Sequence, residues 1–118
     1  MKAEGWTEEF PAAITVCDER GIILFMNGAA AQTFERDGGR GLIGKDVRDC
    51  HPEPARSLVA DLLANPRPHS YTIEKNGIRK LIYQSPWYRA GRFAGLVELA
   101  IVLPQRLAHH VRREAPGS

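Results

Sequence analysis

Two cysteines, Cys17 and Cys50, are all that the 118 residues carry, too few for a disulfide framework, and a cytosol would keep both reduced. No apolar run approaches the length of a membrane span. Met1 to Phe10 lacks the apolar core of a signal peptide, so the expectation is a cytoplasmic protein away from membranes. Charge of one sign is also scarce, since 16 Lys and Arg against 14 Asp and Glu leave a formal net charge of +2. The arginines are scattered, with Arg112-Arg113 the tightest group, so no nucleic-acid surface is expected. There is no Gly-x-Ser-x-Gly elbow, no phosphate-cradling loop ending in Lys-Ser/Thr, and no set of four ligands at zinc spacing. The chain is not expected to be an enzyme.

What is present is the composition of an ordinary globule, 43% hydrophobic and 25% charged. The length suits one domain that buries about two thirds of the surface its unfolded form exposes. Three regions are expected: a flanking segment over residues 1–11, a domain over 12–103, and a helical or flexible tail over 104–118.

In the flanking segment, Trp6 and Phe10 are spaced to share one side of a short helix capped by Thr7. Ile14 to Cys17 is β-branched, Asp18-Glu19-Arg20-Gly21 reads as a turn, and Ile22 to Met26 is a second apolar run, together a hairpin. Asn27 is placed to cap a helix from Gly28 to Phe34, where Ala29, Ala30, Ala31 and Gln32 favour that state. Asp37-Gly38-Gly39-Arg40-Gly41 reads as a flexible loop. Gly44 permits a positive φ, Lys45 to Asp49 suits about one helical turn, and His51-Pro52 marks a boundary. Ala55, Leu58, Val59, Leu62 and Leu63 then repeat at the spacing of an amphipathic helix, which Asn65-Pro66 ends.

Asn76-Gly77 is the strongest short hairpin signal in the chain. With those two residues as the loop, Lys75 opposes Ile78 and Glu74 opposes Arg79. One face then holds His69, Tyr71, Ile73, Ile78, Lys80, Ile82 and Gln84, and the other holds Leu81, Tyr83, Ser85 and Trp87. Leu96 to Leu103 is an apolar strand interrupted only by Glu98, and a final helix from Pro104 with Leu107 and Val111 is expected. Strands around a helical middle argue for an α+β fold, a five-stranded antiparallel sheet with short helices on one face and a pocket at their joint.

Several stretches, taken together, resemble PAS domains over roughly residues 10–103. They are the hairpin through Asp18-Glu19-Arg20-Gly21 ending in Asn27, the alanine-rich helix closing on Phe34, Leu42-Ile43-Gly44-Lys45, the Asn76-Gly77 hairpin, and Gly95 before the last strand. Cys50-His51-Pro52 further resembles a subgroup with that triplet in its central segment. The resemblance implies a sensory and dimerisation module that binds a small ligand or cofactor, haem and flavin among them, between helices and sheet. The Asn-Cys-Arg-Phe-Leu-Gln motif of the flavin photosensors is absent, so no light-driven cysteine adduct is expected. A downstream signalling protein is the implied partner.

The residues that would contact a ligand are His51, Cys50, Tyr71, His69 and Gln84. His51 is the one metal candidate, because imidazole holds haem iron in many sensors. Against this, His51 could bond the start of the following helix while Cys50 packs in the core. Neighbours on a helix point about 100° apart, so Cys50 and His51 are not expected to face one ligand. Cys50 could also act as a redox thiol if a helix start lowers its pKa, whereas Cys17 reads as a small buried hydrophobe. His69, Tyr71 and Gln84 either offer hydrogen bonds to a ligand on the sheet or meet solvent at strand ends. Tyr83, Trp87 and Leu81 form an apolar outer face that needs a cover, from Trp6 and Phe10 or from a second subunit. Two further readings stay open beside the ligand-binding module: a haem-based gas or redox sensor using His51, and a ligand-free dimerisation domain.

Overall fold

A computed structural model describes Met1 and residues 5–114. Five strands, β1 (Ala13–Cys17), β2 (Ile23–Met26), β3 (His69–Lys75), β4 (Ile78–Arg89) and β5 (Arg92–Val102), form one antiparallel sheet in the order β2-β1-β5-β4-β3. Three α-helices, α1 (Gly5–Glu8), α2 (Gly28–Thr33) and α3 (Ala55–Ala64), accompany it, with 3-10 turns at Glu35–Asp37, Gly39–Leu42 and Val47–Cys50. The expected α+β sheet with short helices on one face is what the chain forms.

Local chemistry accounts for most of the elements. Asp18 Oδ1 accepts from the backbone N–H groups of Arg20 and Ile22 at 2.9 Å each, closing the turn between β1 and β2. The Asn76-Gly77 loop takes φ of 53° and 76°, the left-handed pair that a two-residue hairpin requires. Its register is the expected one, from Lys75 opposite Ile78 out to His69 opposite Gln84. Ala90 and Gly91 repeat that geometry between β4 and β5, with φ of 51° and 76°.

The helices and the inner sheet face enclose a core of Cys17, Ile23, Met26, Ala30, Leu42, Val47, Val59, Leu62 and Leu96. Ile14, Val16 and Phe25 pack on the outer face with Trp87, Val97 and Leu99. At the β1–β5 seam a side chain on Gly95 would put its Cβ 1.9 Å from the Cys17 carbonyl oxygen, so only glycine lets the strands close there. Trp87 Nε1 donates to the same oxygen at 2.9 Å. Gly95 thus sits inside β5 rather than before it.

Asn27 ties the N-terminal half together. Its fully buried side chain accepts from Ile14 N at 2.9 Å and from Ala30 N at 3.0 Å. Its Nδ2 donates to the carbonyls of Ala12 at 2.9 Å, Thr7 at 3.0 Å and Phe10 at 3.4 Å. The capping role expected of Asn27 is therefore only one of its tasks.

Four expectations fail. The glycine loop at 37–41 is folded, because Gly38 and Gly39 at φ of 117° and 54° let two 3-10 turns follow one another. Thr7 lies within α1 and does not cap it. Trp6 and Phe10 meet edge-on at 5.6 Å and stay exposed instead of covering the outer sheet face. Residues 104–114 form no helix, and Leu107 and Val111 stay exposed there, so that apolar spacing has no surface to pack on. The last four residues of the expected tail lie outside the described residues.

Asn27→Ala removes a helix cap and strands buried backbone partners of β1, so a loss of roughly 3 kcal/mol is expected. Urea denaturation measures it, and a loss under about 1 kcal/mol would contradict the role given to this side chain.

Candidate functional site

The inner face of the sheet carries a polar row across three strands and onto a fourth. Thr15 opposes Glu98, Glu98 opposes Gln84, and Gln84 opposes His69. One register step along lies the apolar row Ala13, Ala100, Ile82 and Tyr71. Beyond it Val102 opposes Lys80, which opposes Ile73. Period-two alternation puts all of these on the side that faces the helices.

His51 reaches this surface from the other side. Asp46 caps the 3-10 turn Val47–Cys50 by accepting from Arg48 N at 2.9 Å, and His51 follows in extended conformation, with φ −122° and ψ 129°. Its Nδ1 lies 3.0 Å from the Val47 carbonyl oxygen, and its Nε2 lies 3.3 Å from Glu98 Oε2. Gln84 Nε2 donates to the same Oε2 at 3.1 Å. The side chains are nearly enclosed, 10% exposed for His51 and 18% for Glu98.

Both imidazole nitrogens therefore face acceptors, a carbonyl and a carboxylate, which the doubly protonated ring satisfies best. Burial pulls the His51 pKa down, while the hydrogen bond to Glu98, its charge, and the Val47 carbonyl raise it, and the raising effects prevail over the ordinary value of 6.5. Among fully buried side-chain atoms of the described residues, Gln84 Oε1 is without a partner. A hollow of about 20 Å³ beside it is lined by Thr15, Gln84 and Glu98 among others, room for one water molecule.

Between His51 and the apolar row lies a cavity of about 200 Å³, its walls including Phe34, Cys50, His51, Tyr71, Lys80, Ile82, Glu98 and Ala100. Cys50 and His51 thus face one cavity, contrary to expectation, because His51 has already left the helical turn. Nor does His51 bond the start of α3; it bonds back to the preceding turn. Cys50 is half-buried with its pKa raised, by desolvation first and then by nearby carboxylates. No helix begins at Cys50 to lower its pKa, since α3 starts at Ala55, so the arrangement disfavours a reactive thiolate. Cys17 is buried and pushed up to about 11 by desolvation, as befits a core thiol.

Of the sequence candidates, His51, Cys50 and Tyr71 meet at this cavity. Gln84 lies beneath it, 2% exposed, holding Glu98. His69 lies outside the cavity, its ring tilted at 43° to that of Tyr71 at 5.6 Å, in a neighbouring groove shared with Pro54, Ala55 and Leu58. Glu98 and Lys80 were not expected at the site. Glu98 had a visible signal, being the single charge in an otherwise apolar strand.

Haem, which PAS resemblance admits, does not fit these residues. The Nε2 that would bind iron is held against Glu98, and the cavity of about 200 Å³ lies below the roughly 300–1,000 Å³ of sites for drug-sized molecules, leaving room only for a smaller one.

Comparisons with known proteins bear on the fold. No family model and no curated protein matches this sequence. Solved structures do. The PAS domain of Bordetella pertussis BvgS is 24% identical with a TM-score of 0.61, covering 85% of this chain and 82% of that one. The PAS domain of the histidine kinase ThkA is 20% identical with a TM-score of 0.63, covering 76% and 97%. The Vibrio cholerae Aer2 receptor, described as a dual PAS-haem oxygen sensor, is 19% identical with a TM-score of 0.59, covering 79% and 95%. The fold of this chain is that of PAS domains.

Two measurements follow from the His51 contact. Because its folded pKa is raised, the contact contributes stability that is fully present below the unfolded value of 6.5 and is lost as pH rises through the folded value. Urea midpoints are expected to fall between about pH 6 and pH 8, and Glu98→Gln should flatten that slope; an equal slope in both proteins would refute the assignment. Haemin is expected to give no His51-dependent Soret shift, whereas a shift abolished by His51→Ala would overturn the misfit.

Proposed function

We propose that this chain is a signal-sensing and protein-interaction module, binding rather than converting a small molecule between its helices and its sheet. The observation that carries the reading is the cavity of about 200 Å³, walled chiefly by apolar side chains, with the His51–Glu98 pair, Lys80, Tyr71, Thr15 and Thr33 as its polar groups. Concave apolar sites with a few convergent polar groups are where small ligands bind. The names of the similar structures, a histidine kinase and an oxygen-sensing receptor among them, support a sensory role.

Signal leaves the site through β5. Glu98 lies on the central strand, and four residues later that strand ends at Val102. A molecule seated against His51 and Glu98 favours one arrangement of the 3-10 turn over the sheet, and shifts the equilibrium by its differential affinity for the two. A downstream signalling protein reads the result in a cytoplasmic setting.

A second copy is the proposed cover for the outer sheet face. Buried Ile14, Val16 and Phe25 pack there with Trp87, Val97 and Leu99, which stay half-buried, and Tyr83 is 38% exposed. Aromatic area of this kind suits a homodimer joined through that face, with the segments flanking the sheet taking part.

A fragment library screened by amide-resolved NMR tests the ligand reading. Binders are expected to shift Phe34, His51, Ile82, Glu98 and Ala100 together, and hits that cluster elsewhere would sink it. Sedimentation at high micromolar concentration tests the dimer: association is expected, and a strict monomer would end that part of the proposal.

A further inference from the structure

We infer that the ligand of this cavity is a small monoanion with an apolar body, its single charged group paired with Lys80. The inference rests on the cavity reading above and adds the chemistry of the occupant.

The ends of the cavity differ. Glu98 and His51 stand at one end, Ala100 and Ile82 form the floor, and Lys80, paired with Val102 in the ladder, stands at the other. Four residues of β5 separate Glu98 from Val102, a run of about 13 Å at roughly 3.3 Å per residue. The carboxylate of Glu98 already has His51 Nε2 at 3.3 Å and Gln84 Nε2 at 3.1 Å. Lys80 is half-buried, borders the cavity, and has no hydrogen bond or ion pair among the described residues. Its ammonium group is without a counter-charge among the described residues.

The titratable groups that face the cavity are Cys50 and His51 from the helical side, Tyr71 from β3, Lys80 from β4 and Glu98 from β5. Near neutral pH the thiol and phenol are uncharged, both being pushed up chiefly by desolvation. Glu98 is already met by His51 Nε2 and Gln84 Nε2, which leaves Lys80 as the charged group at the cavity without a partner among the described residues. One negative group is therefore complementary. A second negative group at the far end would lie against the carboxylate of Glu98, so the same geometry opposes a dianion. A cation at Glu98 would have to displace the His51 ring from Oε2.

Size sets a further limit. Water fills about 30 Å³ of liquid per molecule, so about 200 Å³ accommodates roughly seven groups of that size. Ala13, Phe34, Ile82 and Ala100 make an apolar wall that offers no side-chain hydrogen bond, with Thr15, Thr33 and Tyr71 beside them, so the body of the molecule is largely hydrocarbon.

Titration of the intact protein with 4-methylpentanoate, with its neutral amide and with glutarate, followed by amide NMR, tests the inference. The monoacid is expected to shift Ile82 and Ala100 and to bind at least tenfold more tightly than the amide or the diacid. Lys80→Met, which keeps the apolar stem, should reduce the acid to the level of the amide, and Lys80→Arg should retain the preference. Amide or diacid binding as tightly as the monoacid, or an unaltered preference in Lys80→Met, overturns the monoanion while leaving the cavity reading in place. Absence of any shift at Ile82 and Ala100 with all three compounds defeats both.

Discussion

The carboxamide of Asn27 is the junction at which the leading segment, β1 and α2 are held to one another, through two bonds accepted and three donated in a site without water contact. A buried amide is costly to leave unpaired, and here each polar atom is used. The main chain of Asn27 adds a further pair, donating to Ile14 O at 3.1 Å and accepting from Ala31 N at 2.9 Å. The direction of α2 and the placement of β1 are thus fixed by a single residue.

The site inherits that order. β1 pairs with β5 so that Thr15 stands opposite Glu98, and α2 leads to Phe34, which meets His51 at a ring separation of 6.5 Å. The sheet brings the carboxylate and the turns bring the imidazole. Their meeting is a long-range consequence of local caps: Asp18 closing one turn, Asp46 closing another, and Asn27 between them. Burial then makes the meeting matter, because a charge pair in a partly enclosed site is felt more strongly than one at the surface.

The legible parts of the sequence were those whose cause is local. Asn76-Gly77 set the register of β3 on β4 because few residues other than Asn and Gly accept positive φ side by side. Asn27 announced its cap, and Asn65-Pro66 the end of α3. His51, Cys50 and Tyr71, singled out from position and residue type, line one cavity. Glu98 and Lys80 were not singled out, since their roles depend on the pairing of β5 with β4 and on a turn some 50 residues away in the chain. The 104–114 tail misled for the opposite reason. Leu107 and Val111 have helical spacing, yet periodicity predicts a helix only where a surface receives it.

The strand order has a mechanical side. β1 and β5 are antiparallel neighbours at the middle of the sheet, and Ala13 at the start of one faces Ala100 near the end of the other. The segment leading into β1 and the segment leading out of β5 consequently leave the sheet at the same end, side by side. Tension applied between them peels the β1–β5 ladder one rung at a time, starting at Ala13, where a shear geometry would load all rungs at once. Thr15 opposite Glu98 is the third residue pair along that ladder, so a modest pull at the exits acts almost directly on the carboxylate at the cavity. The same lever works in reverse, and a displacement of Glu98 reaches both exits across only two intervening pairs.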